Sequence, residues 1–422
     1  MANQETRRIL VYAGWYGHSS DRLIGELKVQ RVRSKEIFAF EYSHEWLKDP
    51  GCQLLDPDLQ LYGGRQYVQE PKPNFGIFLD SSPDRWGRML MRRRESMLAR
   101  QEGRAPGLLL ESDYLLGVYD KYRMGGIRYK TDEDSEYLNS QVGPAVPPWS
   151  SLQDLEYASQ VIEHEDIEGE KETTCKWLNM LIAPGSSLGG ARPKSGVYDK
   201  EQQQWIAKFP SVNDEFDIGS WEMVLNHLAE KSGITVPEAR IMRLSGRYHT
   251  YLSKRFDRTA DGERIHLASA MTMLGRLDGD HASEGISYLD LAGFIMRNSP
   301  NPNQDLIQLW RRIVFNILVS NTDDHLRNHA FIFNQSGWSL SPAFDMNPNP
   351  WGGGLSLNIS EDDNTQDIEL AMSVAKYFQL PGKEASKIAQ EIHLAVRQWS
   401  KVALHIQIPV AEIERMRGAF KV

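Results

Sequence analysis

A long apolar segment that ends in a cluster of polar residues constrains the fold most. Residues 306–319, LIQLWRRIVFNILV, are apolar enough to form a buried helix, and residues 330–333, AFIF, are typical of a buried strand. Between them, residues 320–329, SNTDDHLRNH, carry Asn, Asp, His and Arg side chains. Polar groups next to buried elements are costly unless they are hydrogen-bonded, so this junction is a candidate functional loop.

The spacing within the polar loop indicates its chemistry. Asp323 and Asn328 have the D-x-x-x-x-N spacing of a protein-kinase catalytic loop. In such a loop the carboxylate accepts or orients the proton of the attacking hydroxyl, and the amide oxygen coordinates a metal ion. Asp345 follows in SPAFDMNP, where a second metal ligand is expected. Because carboxylate and amide oxygens are hard ligands, Asn328 and Asp345 predict a Mg²⁺ site.

Two further residues of the loop each have two interpretations. Arg327 either neutralises charge on a transferred phosphoryl group or forms a surface ion pair. His325 either fixes the loop or, together with His329, binds a metal ion. The two histidines would share a face only on a helix, whereas the segment is predicted to leave a helix for a strand, so we favour the first role. Arg327 and His325 are therefore predicted residues of the catalytic site.

A glycine-rich segment lies upstream of the loop. Residues 185–190, GSSLGG, could let backbone N–H groups wrap around phosphates. The segment is not a Walker A loop, because Ala191 and Arg192 stand where Lys and Ser or Thr must follow. On its own it could equally be a mobile turn.

A strand and a helix follow this segment. SGVY and QWIAKFP predict a hairpin with Lys208 in its second strand, and GSWEMVLNHLAEKSGI predicts an amphipathic helix that ends at Gly233. Glu222 is expected in the first turn of that helix. In kinases a strand lysine holds the nucleotide phosphates and a helix glutamate orients it. The alternatives are a solvent-facing lysine and a glutamate that the helix dipole favours.

The order of these features predicts the function. The glycine loop, strand lysine, helix glutamate, D-x-x-x-x-N loop and metal aspartate follow one another along the chain as they do in kinases. Between the glutamate helix and the polar loop, TYLSKRFDR is strand-like and could pass an adenine site as a hinge, with Lys254 and Phe256. Each feature alone is common, but together they predict a kinase that uses ATP and Mg²⁺.

Composition excludes several classes of protein. The 422 residues carry a net charge of −9, which argues against a generally cationic protein that binds nucleic acid or a membrane surface. The two cysteines, Cys52 and Cys175, form no CxxC pattern, so a disulfide framework is not expected. The N-terminal residues lack the apolar run of a signal peptide, and no stretch is long enough to span a bilayer. We therefore expect a cytoplasmic location and no membrane partner.

The N-terminal part of the chain predicts its own elements. LIGELKV and EIFAFEY alternate as two strands of a hairpin. PDRWGRMLMRRRESMLARQ predicts a helix from Pro83 to Gln101, with Ser82 as its N-cap. The proline-rich residues 142–149 are the best candidate for a linker.

These segments resemble the HipA family of serine/threonine kinases, the toxins of bacterial HipBA toxin–antitoxin modules. The resemblance covers nearly the whole chain and is carried by IGELKV, FAFEYSHEWL, FGIFLDSSPDRWGR, SSLGGARPK, WIAKFP, EMVLNHLAEKSGITVPEARI, RFDR, NTDDHLRNHAFIF and SPAFDMNP. The last two are the specific signals. The chain departs from the family pattern in GGARPK, where the best-known members carry glutamine and glutamate after the alanine, and in FLDSSPDRWGR, where an LLP-type pattern is usual.

The resemblance implies an α+β, protein-kinase-like fold with two lobes that hold ATP and Mg²⁺ between them. The N-terminal lobe, of mixed α/β structure, would comprise residues 1–256. Within it, residues 1–140 would form a HipA-type N-terminal region, and residues 175–256 would carry the glycine loop, lysine strand, glutamate helix and hinge. Residues 257–422 would form a mostly helical catalytic lobe.

The resemblance also implies residue roles and partners. The nucleotide would be bound by Ser186, Ser187, Gly189, Gly190, Ala191, Lys194, Lys208, Glu222, Lys254 and Phe256. Ser187 would be autophosphorylated, with Ser186 as the adjacent candidate. The substrate would be a Ser or Thr of a protein, with aminoacyl-tRNA synthetases as the known substrate type. A small helix-turn-helix antitoxin of the HipB type would bind the toxin, relieve growth inhibition and contact DNA.

Three other functions compete with this prediction. An inactive co-repressor bound to an antitoxin is disfavoured because Lys208, Asp323, Asn328 and Asp345 are all present. A P-loop NTPase is disfavoured by the broken Walker pattern. A kinase for small molecules or lipids stays open, because such kinases carry similar catalytic loops and substrate choice depends on surfaces that the sequence does not locate.

Overall fold

The computed structural model contains helices and antiparallel sheets in two compact units. The first unit comprises Met1–Asn213 with Asp257–Ala268, and the second comprises Asp214–Phe256 with Ser269–Val422. The residues that the structure describes are 6–15, 17, 21–33, 35–49, 51–138, 140, 147–163, 177–182, 190–334 and 336–422. The predicted division into lobes at residue 256 differs from these units and stays a prediction.

The first unit begins with a five-stranded antiparallel sheet in the order β4-β3-β2-β1-β5. Its strands are β1 (Thr6–Ala13), β2 (Arg22–Val32), β3 (Lys35–Tyr42), β4 (Gln66–Tyr67) and β5 (Ile127–Lys130). The predicted hairpin of β2 and β3 is confirmed. Its register places Leu27 opposite Phe40 and Val29 opposite Phe38, and all four side chains are buried. Opposed residues share one face of a sheet, so this face forms the core of the sheet.

The described helices of the first unit follow one another along the chain. They are α1 (His44–Lys48), α2 (Gly76–Asp80), α3 (Arg85–Gln101), α4 (Glu111–Gly117), α5 (Leu152–Glu163) and α6 (described over residues 177–182). The predicted start of α3 is wrong by two residues, because its N-cap is Asp84 rather than Ser82. The Ser82 hydroxyl instead donates to the carbonyl of Phe78 in α2. Most of the predicted linker at residues 142–149 lies outside the described residues.

The first unit also contains a second hairpin. Strands β6 (Lys194–Tyr198) and β7 (Gln204–Lys208) pair antiparallel, which confirms the hairpin predicted from SGVY and QWIAKFP. Asp199 stabilises the turn between them, since its carboxylate accepts hydrogen bonds from Gln203 N at 2.8 Å and Trp205 Nε1 at 2.7 Å. Lys194 and Lys208 are the outermost residue pair, at the open end of the hairpin.

The second unit contains two hairpins and most of the helices. Strand β8 (Ala239–Met242) pairs with β9 (Thr250–Lys254), and β11 (Ala330–Asn334) pairs with β12 (Gly337–Leu340). Strand β10 (Leu267–Ser269) includes the point in the chain where the first unit ends and the second resumes. The helices are α7 (Ile218–Lys231), α8 (Ala270–Met273), α9 (Tyr288–Asn298), α10 (Pro302–Val319), α11 (Ile368–Val374), α12 (Gly382–Val396), α13 (Trp399–His405) and α14 (Val410–Met416).

Helix α10 is the central element of the second unit. It packs against α9 and α12, and its apolar side chains include the fully buried Trp310, Ile313 and Phe315. The predicted buried helix over residues 306–319 is therefore confirmed. In the described part of the chain, no helix combines the length and the apolar composition needed to cross a lipid bilayer.

Helix α7 confirms the predicted amphipathic helix but corrects the place of Glu222. Its N-cap is Asp217, whose side chain accepts from Ser220 N at 3.1 Å, and Gly233 follows its end with φ of 69°. Glu222 is the fifth helical residue, in the second turn, and is buried. The expectation that Glu222 lies in the first turn is wrong, so the helix dipole alone does not explain a glutamate at this position.

We expect Gly219→Ala to destabilise the second unit, because a Cβ on Gly219 would lie 2.3 Å from the backbone oxygen of His249. Forced overpacking of this kind costs about 1–3 kcal/mol. Gly293→Ala in α9 is the matched control, since its Cβ would meet only Arg297 Nη1 at 3.4 Å. There alanine should add about 0.5–1 kcal/mol of stability, as is usual within a helix. Urea unfolding midpoints should shift in opposite directions, and a stabilising effect of Gly219→Ala would contradict this packing.

Candidate active site

The polar loop joins α10 to β11, as the sequence predicts. Helix α10 ends at Val319, and Ser320 reverses the chain in the left-handed region with φ of 48°. A single 3₁₀ turn, Leu326–Asn328, precedes β11. Thus the polar residues lie on a loop between a buried helix and a buried strand.

A buried carboxylate organises this loop. Asp324 is 4% exposed, and its Oδ2 accepts hydrogen bonds from Tyr288 OH at 2.7 Å, Asn316 Nδ2 at 2.7 Å and His329 Nε2 at 2.8 Å. Burial acts to raise the pKa of Asp324, but the charge and hydrogen bond of His329, with the Tyr288 hydrogen bond, hold the pKa below its ordinary value. Burial and this nearby charge raise the pKa of Tyr288 well above its ordinary value. Asp324 is therefore ionised at neutral pH and Tyr288 keeps its proton.

The neighbouring Asp323 has the opposite environment. Its side chain is exposed, while its backbone oxygen accepts hydrogen bonds from His325 N at 3.0 Å and Asn328 Nδ2 at 2.9 Å. Because an amide side chain donates through nitrogen and accepts through oxygen, the bond from Asn328 leaves Oδ1 as its acceptor atom. Asn328 is 7% exposed, so this orientation is fixed by its surroundings.

The segment that carries Asp345 is hydrogen-bonded to the loop. Asn347 N donates to Asn321 Oδ1 at 3.0 Å, and Asn321 Nδ2 donates in turn to Asn316 Oδ1 at 3.1 Å. Asn321 precedes Asp323 by two residues, and Asn347 follows Asp345 by two residues. The Asn347–Asn321 hydrogen bond therefore links the two stretches of chain that carry these aspartates.

Further bonds extend this junction along the chain. Asn349 N donates to Ser320 O at 3.0 Å, Asn349 Nδ2 donates to Thr322 Oγ1 at 2.8 Å, and Ser356 Oγ donates to Thr322 O at 2.8 Å. The loop and the segment after Asp345 therefore form one hydrogen-bonded unit, which we call the loop–segment junction (residues 320–328 and 345–356).

Asp345 also lies near the predicted glutamate and hinge residues. The adjacent Phe344 contacts the Phe256 ring, with centroids 5.6 Å apart. Burial raises the pKa of Tyr251 well above its ordinary value, and the charges of Glu222 and Asp345 raise it further. Both carboxylates therefore act on the same buried hydroxyl. Asp345 has φ of 58°, a left-handed conformation that is uncommon outside glycine and often marks a functional constraint.

Arg327 and His325 lie in the polar loop between Asp323 and Asn328. Arg327 Nη1 lies 3.5 Å from Asp278 Oδ2, an ion pair of the kind named as the alternative role, and its role at a phosphoryl group stays a prediction. The His325 ring is half-buried, and its buried Nδ1 has no hydrogen-bond partner among the described residues. His329 Nε2 faces Asp324 rather than His325. Over the described residues, no three His, Cys, Asp or Glu side chains gather as a metal site.

The first unit contains the predicted residues of the glycine-rich segment and the hairpin lysines. Lys194 stands directly opposite Lys208 in the β6–β7 hairpin, so the two side chains share one face. Lys194 is 3% exposed, and Gly190 has φ of 89° with its missing Cβ 2.8 Å from Lys194 Nζ. Ala191 is exposed. Ser186, Ser187 and Gly189 lie outside the described residues.

Two further predictions concern nucleotide contacts, one by the Lys208–Glu222 pair and one by Lys254, and both stay predictions. The proposed pairing of Lys208 with Glu222 involves residues of the two units and stays a prediction. Lys254 is half-buried, and its backbone N donates to Glu238 O at 2.8 Å, which fixes the end of β9.

Sequence reasoning missed the residues that support the loop. Asp324, Tyr288, Asn316 and Asn321 have no place in the D-x-x-x-x-N pattern, yet they hold it. One signal was available, because Asn316 interrupts an otherwise apolar run of helix α10, and a buried amide needs partners. Residue type alone did not show which of the two adjacent aspartates would be buried.

We expect Asp324→Ala to destabilise the protein by about 3–5 kcal/mol, because it leaves three buried donors without their acceptor. Asp323→Ala, one residue away but exposed, should cost less than about 0.5 kcal/mol. Since folding lowers the pKa of Asp324, its contribution is complete above the unfolded pKa of about 4 and is lost as pH falls through the lower folded value. Urea unfolding from pH 7 to pH 2 should therefore show a smaller acid loss in Asp324→Ala than in wild type. Equal unfolding midpoints for the two variants would contradict the network.

Comparison with known families agrees with this geometry. The sequence model of the HipA-like C-terminal domain matches residues 186–399, which is about half of the chain. That range contains the hairpin lysines, Glu222, the polar loop and Asp345.

Two relatives extend the match. The chain is 27% identical over 180 residues to a Haemophilus influenzae protein named "Putative kinase", covering 38% of this chain and 52% of that protein. It is 27% identical over 219 residues to the serine/threonine-protein kinase toxin HipA of Shewanella oneidensis, covering 46% of this chain and 47% of the toxin. The chain thus spans about half the length of these curated relatives.

One solved structure has the same fold along nearly the whole chain. It comes from the Shewanella oneidensis MR-1 complex of HipA, HipB and operator DNA, with a TM-score of 0.65 and 20% identity over 97% of this chain and 94% of that chain. This likeness confirms the predicted α+β, kinase-like fold. The family match over half of the sequence, together with this fold, shows that the chain belongs to the HipA kinase family.

Proposed function

We propose that this chain is an ATP- and Mg²⁺-dependent serine/threonine protein kinase of the HipA toxin type. The observation that carries the proposal is the loop–segment junction. It combines an exposed Asp323, an oriented Asn328 amide and the segment of Asp345 in one hydrogen-bonded unit. The spacing and the roles correspond to those of a kinase catalytic loop and its metal-binding aspartate.

Asp323 is the proposed catalytic carboxylate. Its exposure allows a substrate hydroxyl to reach it, whereas Asp324 is buried and fully engaged. In the transfer, the hydroxyl oxygen attacks the γ-phosphorus of ATP, the bond to the ADP oxygen breaks, and Asp323 accepts the hydroxyl proton. The carboxylate mainly positions the hydroxyl, since phosphoryl transfer needs alignment and charge stabilisation more than covalent assistance.

Asn328 and Asp345 fit a Mg²⁺ site by their chemistry. The Asn328 amide presents Oδ1 because its nitrogen is bonded to Asp323 O, and Asp345 adds a carboxylate. Both are hard oxygen ligands, and Mg²⁺ usually completes its coordination with water and phosphate oxygens. The ion would neutralise charge on the phosphates. The left-handed backbone of Asp345 is consistent with a side chain held in a demanding direction.

The hairpin lysines are the proposed phosphate ligands of the first unit. Lys194 and Lys208 stand directly opposite each other on one face of the hairpin, and Lys194 is almost fully buried. Two lysines on one face suit the negatively charged phosphates of ATP. We propose that Glu222 orients Lys208, as in other kinases, and that Lys254 and Phe256 adjoin the adenine.

The toxin properties rest on family membership. We propose that the kinase phosphorylates a protein of the aminoacyl-tRNA synthetase class in the cytoplasm and inhibits growth. A HipB-type helix-turn-helix antitoxin would bind it and contact DNA; the Shewanella oneidensis structure contains HipA, HipB and operator DNA. Ser187 is the proposed autophosphorylation site. A phosphoryl group there would add about −1.5 to −2 charges beside the ATP phosphates and so limit activity.

We expect Asp323→Asn to abolish transfer of phosphate from labelled ATP while ATP affinity changes little. The substitution keeps the size of the side chain but removes the proton acceptor, so the loss should appear in kcat. Asp278→Asn is the control, because Asp278 is an exposed carboxylate near the same loop that pairs with Arg327. Appreciable autophosphorylation by Asp323→Asn would contradict the catalytic role. Label found in a small molecule or lipid, but in no protein, would favour that alternative substrate class.

A further inference from the structure

The start of helix α3 is bonded to the residues that follow the glycine-rich segment. Trp86 N donates to Gly190 O at 3.2 Å, and Trp86 Nε1 donates to Lys194 O at 3.0 Å. Asp84 Oδ2 accepts from Gly190 N at 2.5 Å. Three hydrogen bonds therefore join residues 84–86 to residues 190–194, and we call this set the α3 clamp. All of these residues belong to the first unit.

Asp84 does not behave as an ordinary helix cap. It is the N-cap residue of α3, yet its side chain makes no hydrogen bond to that helix. An N-cap carboxylate normally accepts from an N–H in the first turn of its own helix. Here the donor to the Asp84 carboxylate is Gly190 N instead of an N–H group of α3. Natural proteins give up a local rule of this kind mainly at functional or strained sites.

Neighbouring bonds hold the clamp residues in place. Arg88 Nε donates to Pro83 O at 2.9 Å, and the two Nη atoms donate to the Glu111 carboxylate at 2.7 and 2.6 Å. Trp86 is 2% exposed, so its indole has no room to swing away. Residues 84–88 therefore form a rigid support rather than an adjustable contact.

The other half of the clamp leads directly to the proposed phosphate ligands. Gly190 has φ of 89° and lies beside Lys194 Nζ, and Lys194 stands opposite Lys208. The hydrogen bonds at Gly190 and Lys194 thus fix both ends of residues 190–194, which connect the glycine-rich segment to the β6–β7 hairpin. The segment SSPDRWGR, which carries Asp84 and Trp86, takes no part in the catalytic chemistry proposed above.

We propose that Asp84 and Trp86 are positioning residues of the ATP site, which hold residues 190–194 in the conformation that binds phosphate. This proposal rests on the proposed kinase function. When only a fraction of the protein molecules has the conformation that binds the ligand, the apparent affinity for the ligand is reduced by that fraction. Loss of a clamp bond should therefore raise the KM for ATP and leave kcat at saturating ATP nearly unchanged.

Trp86→Phe tests the clamp, with Trp46→Phe as the matched control. Trp46 is also buried in the first unit, at 3% exposure, but its Nε1 has no hydrogen-bond partner among the described residues. Both variants replace indole by phenyl, and only the first loses a clamp bond. We expect Trp86→Phe to raise the KM for ATP about 5-fold, the usual effect of one buried hydrogen bond, with kcat within about 2-fold. Trp46→Phe should change neither constant.

Amide hydrogen exchange without nucleotide gives an independent measure. The Gly190 amide should exchange faster in Trp86→Phe than in wild type or Trp46→Phe, because the clamp opens more often. Equal KM values for the two variants, or unchanged exchange at Gly190, would overturn the proposal. A wild-type protein that binds no ATP would instead overturn the proposed function. If Trp86→Phe does not fold, Asp84→Ala decides by the same measurements, since it removes the acceptor of Gly190 N.

Discussion

The buried carboxylate of Asp324 makes the hydrogen bonds on which the rest of the candidate active site depends. It collects donors from three elements, namely Tyr288 of α9, Asn316 of α10 and His329 at the start of β11. A buried charge without partners is strongly destabilising, so these elements can pack only in an arrangement that delivers all three donors. The core of the second unit and the shape of its loop are therefore set by the same group.

The catalytic arrangement follows from this anchoring. With Asp324 held inside, the adjacent Asp323 is exposed, and its backbone oxygen is left to orient the Asn328 amide. Asn316 extends the network to Asn321 and from there to the segment of Asp345. One chain of hydrogen bonds thus connects the supporting carboxylate, the proposed catalytic loop and the proposed metal-binding segment, which suits a reaction that depends on alignment.

Spacing and periodicity predicted the features of the chain that local sequence determines. Alternation gave the β2–β3 and β6–β7 hairpins, and the D-x-x-x-x-N spacing selected Asp323 and Asn328. Tertiary partners decided the rest. The two adjacent aspartates are of the same residue type, and only the donors around Asp324 make it the buried one. The start of α3 was misplaced for a similar reason, because both Ser82 and Asp84 are good caps and the contact with Gly190 lies far along the chain.

Mg²⁺-dependent binding of ATP tests the central claim, that the loop–segment junction makes Asn328 and Asp345 into metal ligands. Calorimetry should be performed with and without Mg²⁺ on wild type and on Asp345→Asn. Asparagine tolerates the left-handed φ of 58° at this position, so the change removes charge without straining the backbone. We expect Mg²⁺ to lower the Kd of wild type for ATP. In Asp345→Asn this effect of Mg²⁺ on the Kd should be smaller by a factor of at least about 10, the equivalent of about 1.4 kcal/mol. An undiminished effect of Mg²⁺ in Asp345→Asn would contradict the assignment.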